Sequence, residues 1–135
     1  LRVFEYHGWV TIQATASGDD DAALLERLVD RVHRAIRDAG DFDLVDLRWS
    51  AGMPMLHFGG FDKHGGRLGP ELLELFTRVG ELAPGSYGLL YVWDDQDTEH
   101  DNDFRVYRMA RGQVTEHEDP HLTPVAPTVI DVYEL

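Results

Sequence analysis

The stretch Trp93-Asp-Asp-Gln-Asp-Thr-Glu-His-Asp-Asn-Asp-Phe-Arg-Val-Tyr-Arg-Met-Ala-Arg111 decides how this chain is read. Between Asp94 and Asp103 stand Asp94, Asp95, Asp97, Glu99, Asp101 and Asp103, with no Lys or Arg among them. Both flanks read as strand, Tyr87-Gly-Leu-Leu-Tyr-Val-Trp93 before and Phe104-Arg-Val-Tyr-Arg-Met109 after. A strongly anionic loop therefore closes one end of a sheet. Such a loop repels itself and costs stability unless something positive meets it. A metal ion, a basic protein and plain solvent are the three candidates.

Working outward, Arg111-Gly112 marks a turn into a last strand, Gln113 to Glu118. Beyond it, Pro120, Pro124 and Pro127 predict an extended tail over 120–135, lying on the surface. Upstream, Pro70 suits the first position of a helix whose apolar face is Leu72, Leu75, Phe76 and Val79, ended by Ala83-Pro-Gly-Ser86. Before that helix, Gly59-Gly-Phe-Asp-Lys-His-Gly-Gly66 reads as a glycine-rich loop with His64 free to touch a partner. Leu44 to Trp49 and Met53 to Phe58 make a hairpin around Ser50-Ala-Gly52, although Leu44, Leu47 and Trp49 do not alternate and leave its register open.

At the start, Val3 to Ala14 alternates as a strand, with Gly8 suggesting a bulge. Ser17-Gly-Asp-Asp-Asp21 opens a helix with acids in its first turn. That helix carries Leu25, Leu28, Val29, Val32 and Ile36 on one face and stops at Gly40. The order β-α-β-β-α-β-β-β predicts an α+β fold, a mainly antiparallel sheet of about six strands with two helices packed on one face. At 135 residues the chain is read as one domain, residues 1–135. With 43% hydrophobic residues it can build a core without disulfides, and it has no cysteine to form one.

The 12 basic and 25 acidic residues give a net charge of −13. That argues against nucleic acid and against an anionic membrane surface, both of which need Lys and Arg. It favours fast encounter with a basic partner. No apolar run approaches the roughly 20 residues that span a bilayer, and no signal pattern opens the chain, so a cytoplasmic location is expected.

Chemistry finds little support in the residues. Counted from Asp95, the sixth and twelfth positions of a calcium loop are His100 and Val106, where glycine and glutamate are required. His117 and His121 cannot share a metal across a helical turn, because Pro120 lies between them. His57 reads as a sheet residue. Ser17, Ser50 and Ser86 stand in turns and in no nucleophile elbow. The glycine loop lacks the Lys-Ser/Thr of a phosphate cradle. These patterns assign no catalytic residue, no metal ligand and no cofactor, and a looser hard-cation site on the acidic loop stays open. The tyrosines and tryptophans read mostly as core and cross-strand packing. Trp93 differs, since it borders the acidic loop and suits an interface anchor.

Several segments together resemble the immunity protein 7 family of bacterial toxin systems. They are Phe4-Glu-Tyr-His-Gly-Trp-Val-Thr-Ile12, Asp46-Leu-Arg-Trp49, Gly59-Gly-Phe61, Ala83-Pro-Gly-Ser-Tyr-Gly-Leu-Leu-Tyr-Val92, Asp101-Asn-Asp-Phe-Arg-Val-Tyr107 and Ala110-Arg-Gly-Gln-Val-Thr-Glu-His-Glu-Asp-Pro120. The resemblance implies a non-catalytic protein that binds and neutralises a cognate toxin. It assigns no contact residues, so those come from charge. Trp93, Asp94, Asp95, Asp97, Glu99 and Asp101 are expected to enter a basic cleft of the toxin. Glu116, Glu118 and Asp119 extend the patch if the last hairpin brings them beside the loop. Two alternatives stand: a metal-assisted hydrolase using the acidic loop, and a regulatory binding module whose loop is merely solvated. An exposed edge strand also leaves room for a dimer.

Overall fold

The computed structural model describes residues 4–62 and 68–125. His64, and the tail beyond Val125, lie outside the described residues. Strand β1 (Phe4–Thr11) alternates as its sequence does, with Phe4, Tyr6 and Val10 buried and Glu5, His7 and Thr11 on the other face. It ends earlier than the sequence suggests, although Ile12 still donates its amide to the Pro54 carbonyl at 3.0 Å. No bulge occurs at Gly8, which pairs in register with Phe58 and Leu90. Its missing side chain leaves room for the Phe58 ring, whose tip would stand 2.5 Å from an added Cβ.

Helix α1 (Ala22–Ala39) starts at Asp21, whose carboxylate accepts the Leu24 amide at 3.0 Å. The acids of this region stand before the first turn and not in it. Asp20 is spent on the preceding loop, accepting the Ala14 and Thr15 amides and the Thr15 hydroxyl. Partial burial works to raise its pKa, but these bonds win and hold it below the usual carboxylate value. Leu25, Leu28, Val29 and Val32 face inward at helical spacing, while Arg27, Arg31, Arg34 and Arg37 are exposed.

Strands β2 (Leu44–Ser50) and β3 (Met53–Phe61) form the expected hairpin. Its turn places Ala51 and Gly52 at φ of 50° and 80°, the left-handed pair that matches strand twist. The register resolves the imperfect alternation. Val45, Leu47 and Trp49 lie opposite Phe58, Leu56 and Pro54 on the helix side, and Leu44 is turned to the other face. Strand β3 also runs through Gly59 and Gly60, which the sequence reading places in a loop. These glycines mark close approach, since a Cβ at Gly60 would meet the Asp43 carboxylate at 2.7 Å and the Tyr6 hydroxyl at 2.9 Å.

Helix α2 (Leu68–Leu82) begins two residues before the position given to Pro70 and buries Leu72, Leu75, Phe76 and Val79. Strands β4 (Tyr87–Asp94), β5 (Arg105–Ala110) and β6 (Gln113–Glu118) complete the sheet. Its order is β2-β3-β1-β4-β5-β6, with every neighbouring pair antiparallel. Both helices pack on one face, where Tyr6, Val10, Leu56, Phe58, Leu90 and Met109 meet Leu28, Val32, Leu72, Phe76 and Val79. Burying each of these larger side chains contributes about 1.5–3 kcal/mol.

After β6 the chain does not run extended as far as it is described. Asp119 caps a turn that folds it back, and the Val125 amide reaches the Asn102 carbonyl at 2.9 Å. The β5–β6 turn, Arg111-Gly112, is pressed onto helix α2. A Cβ at Gly80 would stand 2.5 Å from the Gly112 carbonyl oxygen. In a free helix Gly→Ala gains about 1 kcal/mol. At Gly80 the sign reverses: Gly80→Ala is expected to lose about 1–3 kcal/mol by overpacking. A lower urea midpoint with an unchanged slope is the expected result, and a raised midpoint refutes the contact.

Candidate functional site

The acidic loop joins β4 to β5, the pair fourth and fifth in the sheet, and its form is set by its own aspartates. The Asp94 carboxylate accepts the Gln96 amide at 2.9 Å, and its carbonyl accepts the Asp97 amide at 3.1 Å. Asp97 repeats the device, accepting the Glu99 amide at 3.1 Å on its side chain and the His100 amide at 3.2 Å on its carbonyl. These are two successive Asx turns, which Asp forms readily because its short side chain reaches its own backbone. His100 Nδ1 and the Asp103 carboxylate close the far end at 3.1 Å.

Trp93 ties the two ends together. Its indole N–H donates to the Asp101 carbonyl at 2.9 Å, and its ring packs against Phe104, with centroids 6.1 Å apart. Phe104 is itself buried and receives Tyr91 edge-on at 6.2 Å. The loop therefore hangs from an aromatic corner on the sheet face away from the helices. Trp9 and Tyr87 continue that face with an edge-on contact at 6.1 Å. The sequence alone assigns Tyr87 and Tyr91 to packing; alternation along β4 shows that they share this open face with Trp93.

On the helix side the loop roofs a cavity of about 380 Å³. Asp94, Asp97 and His100 line it with Arg105, Tyr107, Phe4 and the start of α2 at Gly69 and Pro70. Arg105 supplies the counter-charge. Its guanidinium is largely buried, lies 3.5 Å from Glu116, and leaves Nε and Nη1 without a hydrogen bond inside this anionic cavity. The acids expected at the contact thus divide by role. Asp94 and Asp97 build the loop. Glu99 and Asp101 are exposed, and half-buried Asp95 accepts the Gln96 side-chain amide at 3.2 Å.

The hairpin brings the second group of acids to the same end of the sheet, with Glu118 opposite Arg105 and Glu116 opposite Tyr107. Glu118 is exposed. Glu116 accepts the Tyr107 hydroxyl at 2.9 Å. Asp119 is only 4% exposed, and its two carboxylate oxygens accept the His121 and Leu122 amides at 3.1 and 3.0 Å. Its charge stands near the patch while its oxygens hold the turn. Among the described residues, no group of three or more His, Asp or Glu side chains is arranged to hold a metal ion. Among them too, no helix is long and apolar enough to cross a membrane.

Burial pushes the Tyr107 hydroxyl up to about 12 from its ordinary 10.0, with the bond to Glu116 and that carboxylate's charge adding to the rise and Arg105 opposing it. A phenol raised in the folded state contributes stability that is whole below the unfolded value and is lost as pH climbs. The window runs from pH 10.0 to about 12. Tyr107→Phe should remove one high-pH step from the tyrosinate absorbance titration and flatten the alkaline loss of stability. A titration unchanged by the substitution contradicts this assignment.

One family model, described as immunity protein 7, matches residues 3–131 of the 135-residue chain. No curated protein and no solved structure matches it.

Proposed function

Because the chain belongs to the immunity protein 7 family, and so is an immunity protein for a toxin, we propose that it inhibits that toxin stoichiometrically through the β4–β5 acidic loop. The loop fills a basic cleft of the toxin, and its carboxylates stand in for the phosphates of a nucleic-acid substrate. The observation that carries this reading is the internal bonding of the loop. Asp94, Asp97 and Asp103 fix its path, so Asp95, Glu99 and Asp101 are presented with little ordering entropy left to lose on binding. Trp93, held by Asp101 and Phe104, is the apolar anchor at the edge of the contact. Exposed Glu118 extends the charge from β6, Glu116 lies two pairs further in on the same face, and Asp119 adds charge from its turn.

The role is that of a binding protein, with no turnover and no cofactor. The net charge of −13 steers a basic toxin toward the complex from a distance. The steering is local as well as global, because the presented acids stand at one corner of the sheet while the arginines of α1 line the helix side.

The test begins by co-expressing the tagged protein with the toxin encoded beside it and isolating the one-to-one complex. Association is then timed across a salt series. Replacing Asp95, Asp97 and Glu99 together, as D95N/D97N/E99Q, should slow association by about 10-fold at low salt and flatten its salt dependence. An association rate that matches the parent at every salt concentration overturns the acidic-loop mechanism. Failure to form any complex with the neighbouring toxin counts against the immunity reading itself.

A further inference from the structure

We propose that β2 is a self-association edge, and that two copies of this chain pair their β2 strands antiparallel about Leu47 to join their sheets. The two edges of the sheet differ. At one end β6 presents Thr115, Glu116, His117 and Glu118, a charged and polar row of the kind that discourages strand addition. At the other end β2 is apolar and uncovered. Leu44 is 69% exposed, Trp49 47% and Val45 38%, and of its seven residues only Leu47 is partly covered. Among the described residues, no strand lies beside its outer backbone edge.

What fits this edge is set by its own sequence, Leu44-Val-Asp-Leu-Arg-Trp-Ser50. About a two-fold axis through Leu47, residue 46 lies opposite residue 48 of the other copy, and residue 45 opposite residue 49. Asp46 then meets the partner's Arg48, and Arg48 the partner's Asp46. In the single chain these two groups satisfy each other on one face at 2.8–2.9 Å. On the helix side Val45 meets the partner's Trp49, and the two Leu47 side chains meet at the axis. From residue 45 to residue 49 every cross-strand pair is either apolar or oppositely charged, and only the end pair sets Leu44 against the partner's Ser50; an isologous contact needs such self-complementarity. The head-to-tail alternative sets Val45, Leu47 and Trp49 against Glu116 and Glu118 of β6, and it grows without closing. β3 and β1 separate β2 from the β4–β5 loop, so the joined sheets leave both acidic loops open.

A single strand pair is a small contact, so dissociation on the order of 10 μM is expected. Sedimentation velocity of the full chain alone, over a concentration series, reads it directly. D46R sets arginine against arginine across the axis and R48D sets aspartate against aspartate, so each variant should be monomeric while keeping the parent's circular dichroism. An equal mixture of D46R and R48D should regain dimer, because one strand then carries two arginines and the other two aspartates. The double variant D46R/R48D should dimerise on its own. A parent that stays monomeric to about 100 μM overturns the proposal. So do single variants that still dimerise, or a mixture that does not. A monomeric parent whose toxin binding is lost on D46R would give the edge to the toxin instead. None of these readings uses the acidic loop, so failure here leaves the immunity mechanism standing, and the reverse also holds.

Discussion

Strand β1 is bonded on both sides, to β3 over Glu5–Thr11 and to β4 over Phe4–Thr11, and the rest of the molecule takes its position from those two ladders. A slip of one residue in either would turn Tyr6, Val10 and their neighbours from the helices to the open face. The helices have no other place to bury their stripes, because the two of them share a single face of the sheet. Tyr6 shows how firmly the register is set. It is fully buried, its hydroxyl reaches the Asp43 amide, and Gly60 beside it leaves no room for a side chain. Burial comes first among the reasons its pKa is raised.

A sheet covered on one side must expose the other, and here the exposed side is occupied by aromatics at the loop's base. Trp93, Tyr91 and Phe104 serve two tasks at once. They shield one another from water, and they fasten the base of a loop that would otherwise be driven open by its own charge. Arg105 works from the opposite face of the sheet, beneath the same loop. The anionic loop is thus fastened at an aromatic corner and shares its cavity with a buried cation. That arrangement reconciles a dense run of carboxylates with an ordered backbone.

The elements are legible because alternation and helical spacing are local signals. Leu72, Leu75, Phe76 and Val79 announce one helix, and the polar pair Arg111-Gly112 announces a hairpin. Pairing partners are set by tertiary contact, so nothing in the sequence of β1 says that β3 and β4 flank it. Gly8, Gly59 and Gly60 illustrate the same limit. Glycine marks a place where something comes close, but whether that is a turn or a neighbouring ring depends on residues far away in the chain. The acidic loop is legible as charge and not as architecture. Asp94, Asp97 and Asp119 look like Glu99 and Asp101 in the sequence. Only backbone geometry separates a carboxylate that accepts an amide two residues on from one turned to solvent.

The division of labour among these acids bears on how such a protein changes over generations. The residues that shape the loop bond to its backbone, and altering them alters the fold of the segment. Glu99 and Asp101 present their side chains outward, and the Trp93 anchor takes only the carbonyl of Asp101. Either side chain can therefore be exchanged without breaking a bond that holds the loop. A lineage can rewrite these outward positions one at a time and keep the scaffold, so that heritable change in the surface charge of this corner is uncoupled from loss of the fold.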